Sequence, residues 1–251
     1  MQIRALASGN AQLSNVEIHK SISHLLIVKI GDAPITDEVI TLGLSTPSGT
    51  EKVISISKIR RHAVLGQFAN GHQSISKQAD GKFKSAFHLP LSDFGAVELG
   101  TGTFLQLDLG GLDAGAQYAV YGIECPIVAR AYNEYNTETV PDGEPQARAF
   151  SVRQGLKGIA LSNNGALSSV RISYNSGSEI TLLPEELDSI MRQTNDISFA
   201  PDLLIEGDSI NQTVLGGGTE LWYLTGDIKS FEVSTTGAAD LTVIQLYRRG
   251  Y

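Results

Sequence analysis

Ser48-Gly49-Thr50-Glu51-Lys52-Val53-Ile54-Ser55 and Ser176-Gly177-Ser178-Glu179-Ile180-Thr181 are two versions of one phrase, a small polar turn built on glycine that opens directly into a β-prone run. Each segment runs on into a short helical pattern that ends at Gln67 or Gln193. Farther along, Gly100-Thr101-Gly102-Thr103-Phe104 has a counterpart in Gly216-Gly217-Gly218-Thr219-Glu220. Each leads into a strand, a small-residue turn and a last strand. In the first copy these are Leu105–Leu109, Ala114-Gly115-Ala116 and Tyr118–Ile123; in the second they are Phe231-Glu232-Val233, Gly237-Ala238-Ala239 and Leu241–Leu246. The motifs keep one order in both halves and their spacing differs by a loop-sized amount. That is the pattern of a duplicated domain, whereas solenoid repeats have shorter and stricter periods.

The chain length, 251 residues, suits two domains of roughly a hundred residues each. Apolar content of 41% with 18% charged residues is that of a globular protein, and no run approaches the roughly 18 apolar residues of a spanning helix. The start, Met1-Gln2-Ile3-Arg4-Ala5-Leu6, lacks the long apolar stretch of a signal peptide. A single cysteine, Cys125, excludes an intrachain disulfide framework and fits folding in a reducing cytoplasm. A net charge of −8, with Arg60-Arg61 and Arg248-Arg249 as the basic pairs, argues against a protein that grips phosphate backbones. Direct nucleic-acid binding is not expected.

Most apolar segments alternate with period two or are short and rich in β-branched residues, separated by Gly, Pro, Asn, Asp and Ser. The reading is mainly β, with one short helix in each half. In the second half Pro184 is followed by Glu185-Glu186, with Leu187, Ile190 and Met191 on one face. In the first, Ile56, Ile59 and Ala63 form a weaker stripe around Arg60-Arg61. Strand density of this kind, repeated twice, predicts two tandem jelly-roll β-sandwiches. The expected division is an N-terminal segment 1–14, a first jelly roll 15–135, a connector 136–152 and a second jelly roll 153–251. The connector reading rests on a polar, acidic stretch punctuated by Pro141 and Pro145.

No reaction class finds support, and the chain is read as a non-enzyme with no catalytic, cofactor-binding or metal-binding residues. His19, His24, His62, His72 and His88 form no helical metal pair, since the odd spacing of His19 and His24 puts them on opposite faces of a strand region. Cys125, just before Pro126, reads as packing. Gly216-Gly217-Gly218 lacks the Lys-Ser/Thr of a phosphate loop. Ca²⁺ is the one cofactor alternative, at Asp93 with Glu98 or Asp108 with Asp113, although the twelve-residue loop pattern is missing. A carbohydrate-binding sandwich would need exposed aromatic platforms. Trp222 reads as core, which leaves Tyr132 and Tyr135 as the aromatic pair to watch.

The second half carries a likeness to a known family. A strand at Gly158–Leu161 and a strand ending Arg171-Ile172-Ser173-Tyr174 precede a helix at Glu185–Gln193 and Thr194-Asn195-Asp196; then come Leu204-Ile205-Glu206-Gly207-Asp208 and a last strand closing in Arg248-Arg249-Gly250-Tyr251. This series resembles the double jelly-roll major capsid proteins of tailless icosahedral, membrane-containing phages, the corticovirus type. The resemblance implies a structural capsid protein: a homotrimer whose six jelly rolls form a pseudo-hexameric capsomer of an icosahedral shell, made in the host cytoplasm and located in the virion. It implies as partners further copies of the chain, neighbouring capsomers, an internal viral membrane and minor capsid proteins. Met1–Ser14 would then face the interior or a neighbouring subunit. Arg248, Arg249 and Tyr251, two charges and a ring after the last strand, are the candidate subunit contact. The alternative reading is a spike or carbohydrate-binding β-sandwich protein.

Overall fold

The computed structural model describes residues 1–49, 51–62, 65, 74–194, 211–214 and 221–250. Gln67, Ala63, His72, Leu204–Asp208, Gly216–Glu220 and Tyr251, all singled out in the sequence, lie outside the described residues. The chain divides into two compact units, with the change from unit 1 to unit 2 falling between Glu134 and Tyr135.

Unit 1 contains β1 (Gln2–Leu6), β2 (Leu13–Ile18), β3 (His24–Gly31), β4 (Val39–Ser45), β5 (Glu51–Lys58), β6 (Ser74–Lys77), β7 (Phe83–Pro90), β8 (Ala96–Val97), β9 (Phe104–Gly110), β10 (Gln117–Ile123) and β11 (Val128–Ala129). One sheet runs β1-β10-β3-β7-β6 and the other β2-β9-β4-β5, while β8 and β11 form a short parallel pair. The sequence period explains the sandwich: β3 and β9 alternate strictly between buried and partly exposed positions. Leu25 and Ile27 from one sheet and Leu105, Leu107 and Leu109 from the other are thereby delivered to the core.

Unit 2 begins within β12 (Ala131–Val140) and continues with β13 (Ala147–Ser151), β14 (Leu156–Ser162), β15 (Leu167–Tyr174), β16 (Glu179–Leu182), α1 (Pro184–Thr194), β18 (Leu221–Leu224), β19 (Ile228–Thr235) and β20 (Leu241–Gly250) as far as Arg248, Arg249 returning to unit 1. Its sheets run β12-β20-β14-β18 and β13-β19-β15-β16. Phe150 on β13 and Phe231 on β19 are register partners, and their rings stack with centroids 4.9 Å apart. The remaining strand, β17 (Asn211–Val214), lies between α1 and β18 in sequence. It belongs to unit 1, where it pairs antiparallel with β6, Gln212 opposite Ser76.

Set aside the accessory strands β6, β8, β11 and β17, and each unit keeps a set of main strands that can be numbered along the chain. In both units the order is 1-8-3-6 in one sheet and 2-7-4-5 in the other. This is the paired Greek-key arrangement of a jelly roll, present twice. In both copies the fifth strand leads into helix, at residues 59–62 after β5 and at α1 after β16. Pro184 opens α1, Glu186 accepts a 2.8 Å hydrogen bond from the Leu183 N–H, and Leu187 and Met191 are buried.

The duplicated turn occupies one position in both copies. Gly49 and Gly177 sit between the fourth and fifth strands with φ of 73° and 87°, and their N–H groups donate to Thr46 and Tyr174 carbonyls at 2.9 and 3.0 Å. The second correspondence needs correction. Gly100–Thr103 precedes the seventh strand, β9, whereas residues 216–220 precede the sixth, β18; the true equivalent is the turn at Gly226-Asp227 before β19. The expected boundaries also shift. Residues 136–152 are not a connector, because they hold most of β12 and all of β13, the first two strands of the second jelly roll. Nor is 1–14 a segment apart: β1 is the first strand of the first jelly roll and pairs with β10, Leu6 opposite Tyr118.

Candidate assembly surfaces and the buried polar cluster

The chain end was the sequence's candidate contact, and the structure separates its members. Arg248 is exposed, and its N–H donates to the Gly155 carbonyl at 2.8 Å. Arg249 turns inward: its Nε donates to Glu134 Oε2 at 2.8 Å, with the two side chains only 20% and 16% exposed. Alternation along β20 puts adjacent arginines on opposite faces, so two neighbouring cations have two different jobs. Arg249 is held by Glu134, and Arg248 is exposed.

The described histidines and the carboxylates considered for Ca²⁺ lie at separate places. His24 on β3 and His88 on β7 meet edge to face with centroids 6.4 Å apart. Desolvation lowers the pKa of both, and for His24 the nearby His88 adds to this while Asp93 opposes it. His62 is buried with Nε2 2.7 Å from the Ser55 hydroxyl, and burial first and Arg61 second push its pKa down to about 3. The carboxylates considered for Ca²⁺ have other partners. Asp93 accepts from Asn133, Glu98 from Arg130, Asp108 from the Asn15 N–H, and Asp113 from the Gly115 N–H. Among the described residues no group of three or more His, Cys, Asp or Glu side chains is placed to hold a metal ion.

Sequence reasoning missed a buried polar cluster. Lys29 follows Leu25 and Ile27 on the inward face of β3 and is 2% exposed, as is Glu38. Lys29 Nζ lies 2.7 Å from Glu38 Oε1, 3.2 Å from the Pro34 carbonyl and 3.6 Å from Asp113 Oδ2. Glu38 also accepts from the Thr36 N–H at 2.7 Å and from the Tyr118 hydroxyl at 2.9 Å. Burial pushes the Glu38 carboxyl up, but the bonds from Lys29, the backbone and Tyr118 outweigh it and hold the pKa below the ordinary value. The available signal was a lysine in phase with a buried period-two run; nothing local named its partner.

Aromatic platforms are not what the surface offers at the expected positions. Tyr132 and Tyr135, expected to be exposed, are 4% and 5% exposed, and Trp222 is core, its Nε1 donating to Asp188 at 2.6 Å. Exposed apolar side chains gather instead at the β8/β11 pair: Phe94 at 56%, Ile127 at 63% and Val128 at 51%. The Ala96 N–H donates to the Ile127 carbonyl at 2.7 Å, and Gly95, at φ 133°, lets the backbones close there.

No family model matches the chain, and no curated protein matches it. Solved structures do. The major capsid protein P2 from bacteriophage PM2 superposes with a TM-score of 0.52 at 12% identity, over 100% of this chain and 96% of that one. The STIV MCP gives 0.53 at 9% identity, over 99% and 94%. A structure from Sulfolobus turreted icosahedral virus gives 0.53 at 11% identity, over 97% and 87%. The chain has the double jelly-roll fold of viral major capsid proteins. The likeness runs through both jelly rolls rather than one, as coverage of nearly the whole of each chain requires.

Proposed function

We propose that this chain is a structural capsid protein whose copies form homotrimers, each a pseudo-hexameric capsomer of an icosahedral shell. The observation that carries the reading is the doubled topology, one eight-strand order occurring twice in a chain that matches capsid proteins along almost its full length. Three copies of a doubled sandwich supply six similar sides to neighbours from a threefold assembly. In this reading the protein resides in the virion, made in the host cytoplasm, and its partners are other copies, neighbouring capsomers, the internal membrane and minor capsid proteins. Arg248 and Tyr251 contribute the subunit contact, and Arg249 supports it from within through Glu134.

Light scattering and native mass spectrometry of the purified chain test this directly. A stable trimer, and sheets or shells on concentration, are the expected result. A monomer that binds glycans would establish the spike or carbohydrate-binding alternative, which the burial of Trp222, Tyr132 and Tyr135 already disfavours. Deletion of Arg248–Tyr251 is expected to leave a folded protein with weakened trimer formation.

A further inference from the structure

We propose that Lys29 and Asp113 are joined in the mature protein by an intramolecular isopeptide bond, with Glu38 carrying the protons. The inference does not depend on the capsid reading. It rests on three groups that approach from three segments of unit 1. Lys29 lies on β3, Glu38 just before β4, and Asp113 in the turn between β9 and β10. Glycine at position 31 permits the approach, because a Cβ there would come within 2.7 Å of Ala116 Cβ. The β9–β10 turn therefore settles onto β3, which sets Asp113 Oδ2 3.6 Å from Lys29 Nζ.

Each group has the position that amide formation needs. Lys29 is the nucleophile, fixed on a rigid strand and 2.7 Å from a carboxylate that can take its protons. Asp113 is the acceptor. Its Oδ1 receives the Gly115 N–H at 2.9 Å, which polarises the carboxyl and supports an oxyanion there. Its Oδ2 faces the amine. The Tyr118 hydroxyl donates to Glu38 and accepts the Asp113 N–H at 2.9 Å, tying carrier to acceptor.

In the reaction, Glu38 relays a proton from the Lys29 ammonium to Asp113 Oδ2, and the neutral amine attacks Cγ of the resulting carboxylic acid. A C–N bond forms, and a second proton leaves the nitrogen for Glu38, which passes it to Oδ2 as the C–Oδ2 bond breaks. Oδ2 departs as water and Glu38 ends as the carboxylate it began. The ammonium and carboxylate charges are both consumed, no oxidant or cofactor is required, and the partly exposed side of Asp113 gives the water its exit.

Intact-mass spectrometry of the full chain under denaturing conditions reads the bond. The expected mass is that of the sequence less one water, with a tryptic peptide pair linked through Lys29 and Asp113. Asp113→Asn is expected to lose ammonia in place of water, which identifies the acceptor chemically. Asp113→Ala keeps the Lys29–Glu38 pair, so it is expected to fold, as read by circular dichroism, at full sequence mass. Glu38→Gln is expected at full mass with Lys29 and Asp113 both present. A folded wild-type chain at full sequence mass overturns the proposal and leaves an ion-pair cluster only. A water deficit that survives in Asp113→Ala also overturns it, by placing the dehydration elsewhere.

Discussion

Two buried side chains set how this protein responds to substitution and to acid. Lys29→Met removes the nitrogen that hydrogen-bonds the Glu38 carboxylate, which is 2% exposed, and a buried charge left without its partner costs about 3 kcal/mol or more. Urea unfolding is expected to show a midpoint lowered accordingly, while Lys58→Met, which breaks the exposed pair with Asp37, leaves it nearly unchanged. His62 governs the response to acid. Its folded pKa, about 3, lies below the ordinary 6.5, so between these values the unfolded chain binds more protons than the folded one. The stabilisation is full above 6.5 and is lost as pH falls through the window toward 3. His24 and His88, also lowered, act in the same direction. Thermal melts stepped down from neutral pH are expected to show a falling Tm, with a shallower fall in His62→Gln. At this scale the sequence shows that Lys29 shares the phase of Leu25 and Ile27. It does not show Glu38 beneath it, because the pairing depends on how a loop returns to the strand.

Turns were the most legible elements, and for a reason that a substitution can probe. Gly177 needs a positive φ but has open space around it, so Gly177→Ala is expected to cost about 1 kcal/mol, the backbone strain alone. Gly237 has the same requirement, at φ 76°, and in addition packs directly on the Gly143 carbonyl, whose residue donates its N–H back to the Gly237 carbonyl at 3.0 Å. Gly237→Ala is therefore expected to lower stability by roughly twice as much or more, measured by the same urea titration. Strand β12 was illegible. Asn133-Glu134-Tyr135-Asn136-Thr137-Glu138 looks like a linker by composition, yet its amide and carboxylate side chains find partners in the fold. Asn133, 1% exposed, donates to the Pro90 carbonyl and to Asp93, and Glu138 pairs with Arg148 of β13 at 2.7 Å. Composition reads a residue's preference for water; it cannot read a partner supplied by a neighbouring strand.

For the molecule as a whole, the order of strands along the chain decides what can be removed. Leu241–Tyr247 of β20 is buried throughout and lies between β12 and β14, so truncation before Leu241 is expected to abolish cooperative unfolding of unit 2 in calorimetry. The duplication itself was legible because both copies retain the glycine turn and the last strand. The division into units was not, since it falls inside a strand. Strand β17 carries a consequence for synthesis. Among the described residues, the edge of β6 in unit 1 is paired by residues 211–214. At the ribosome's pace of about 5–20 residues per second, the interval after residue 77 is on the order of ten seconds. Through that interval the nascent first jelly roll carries an open strand edge, the kind that recruits other chains. Crowded polysomes, where identical nascent chains are neighbours, are thus the place where this protein is most exposed to mispairing, and chaperone occupancy of β6 during translation would govern its yield.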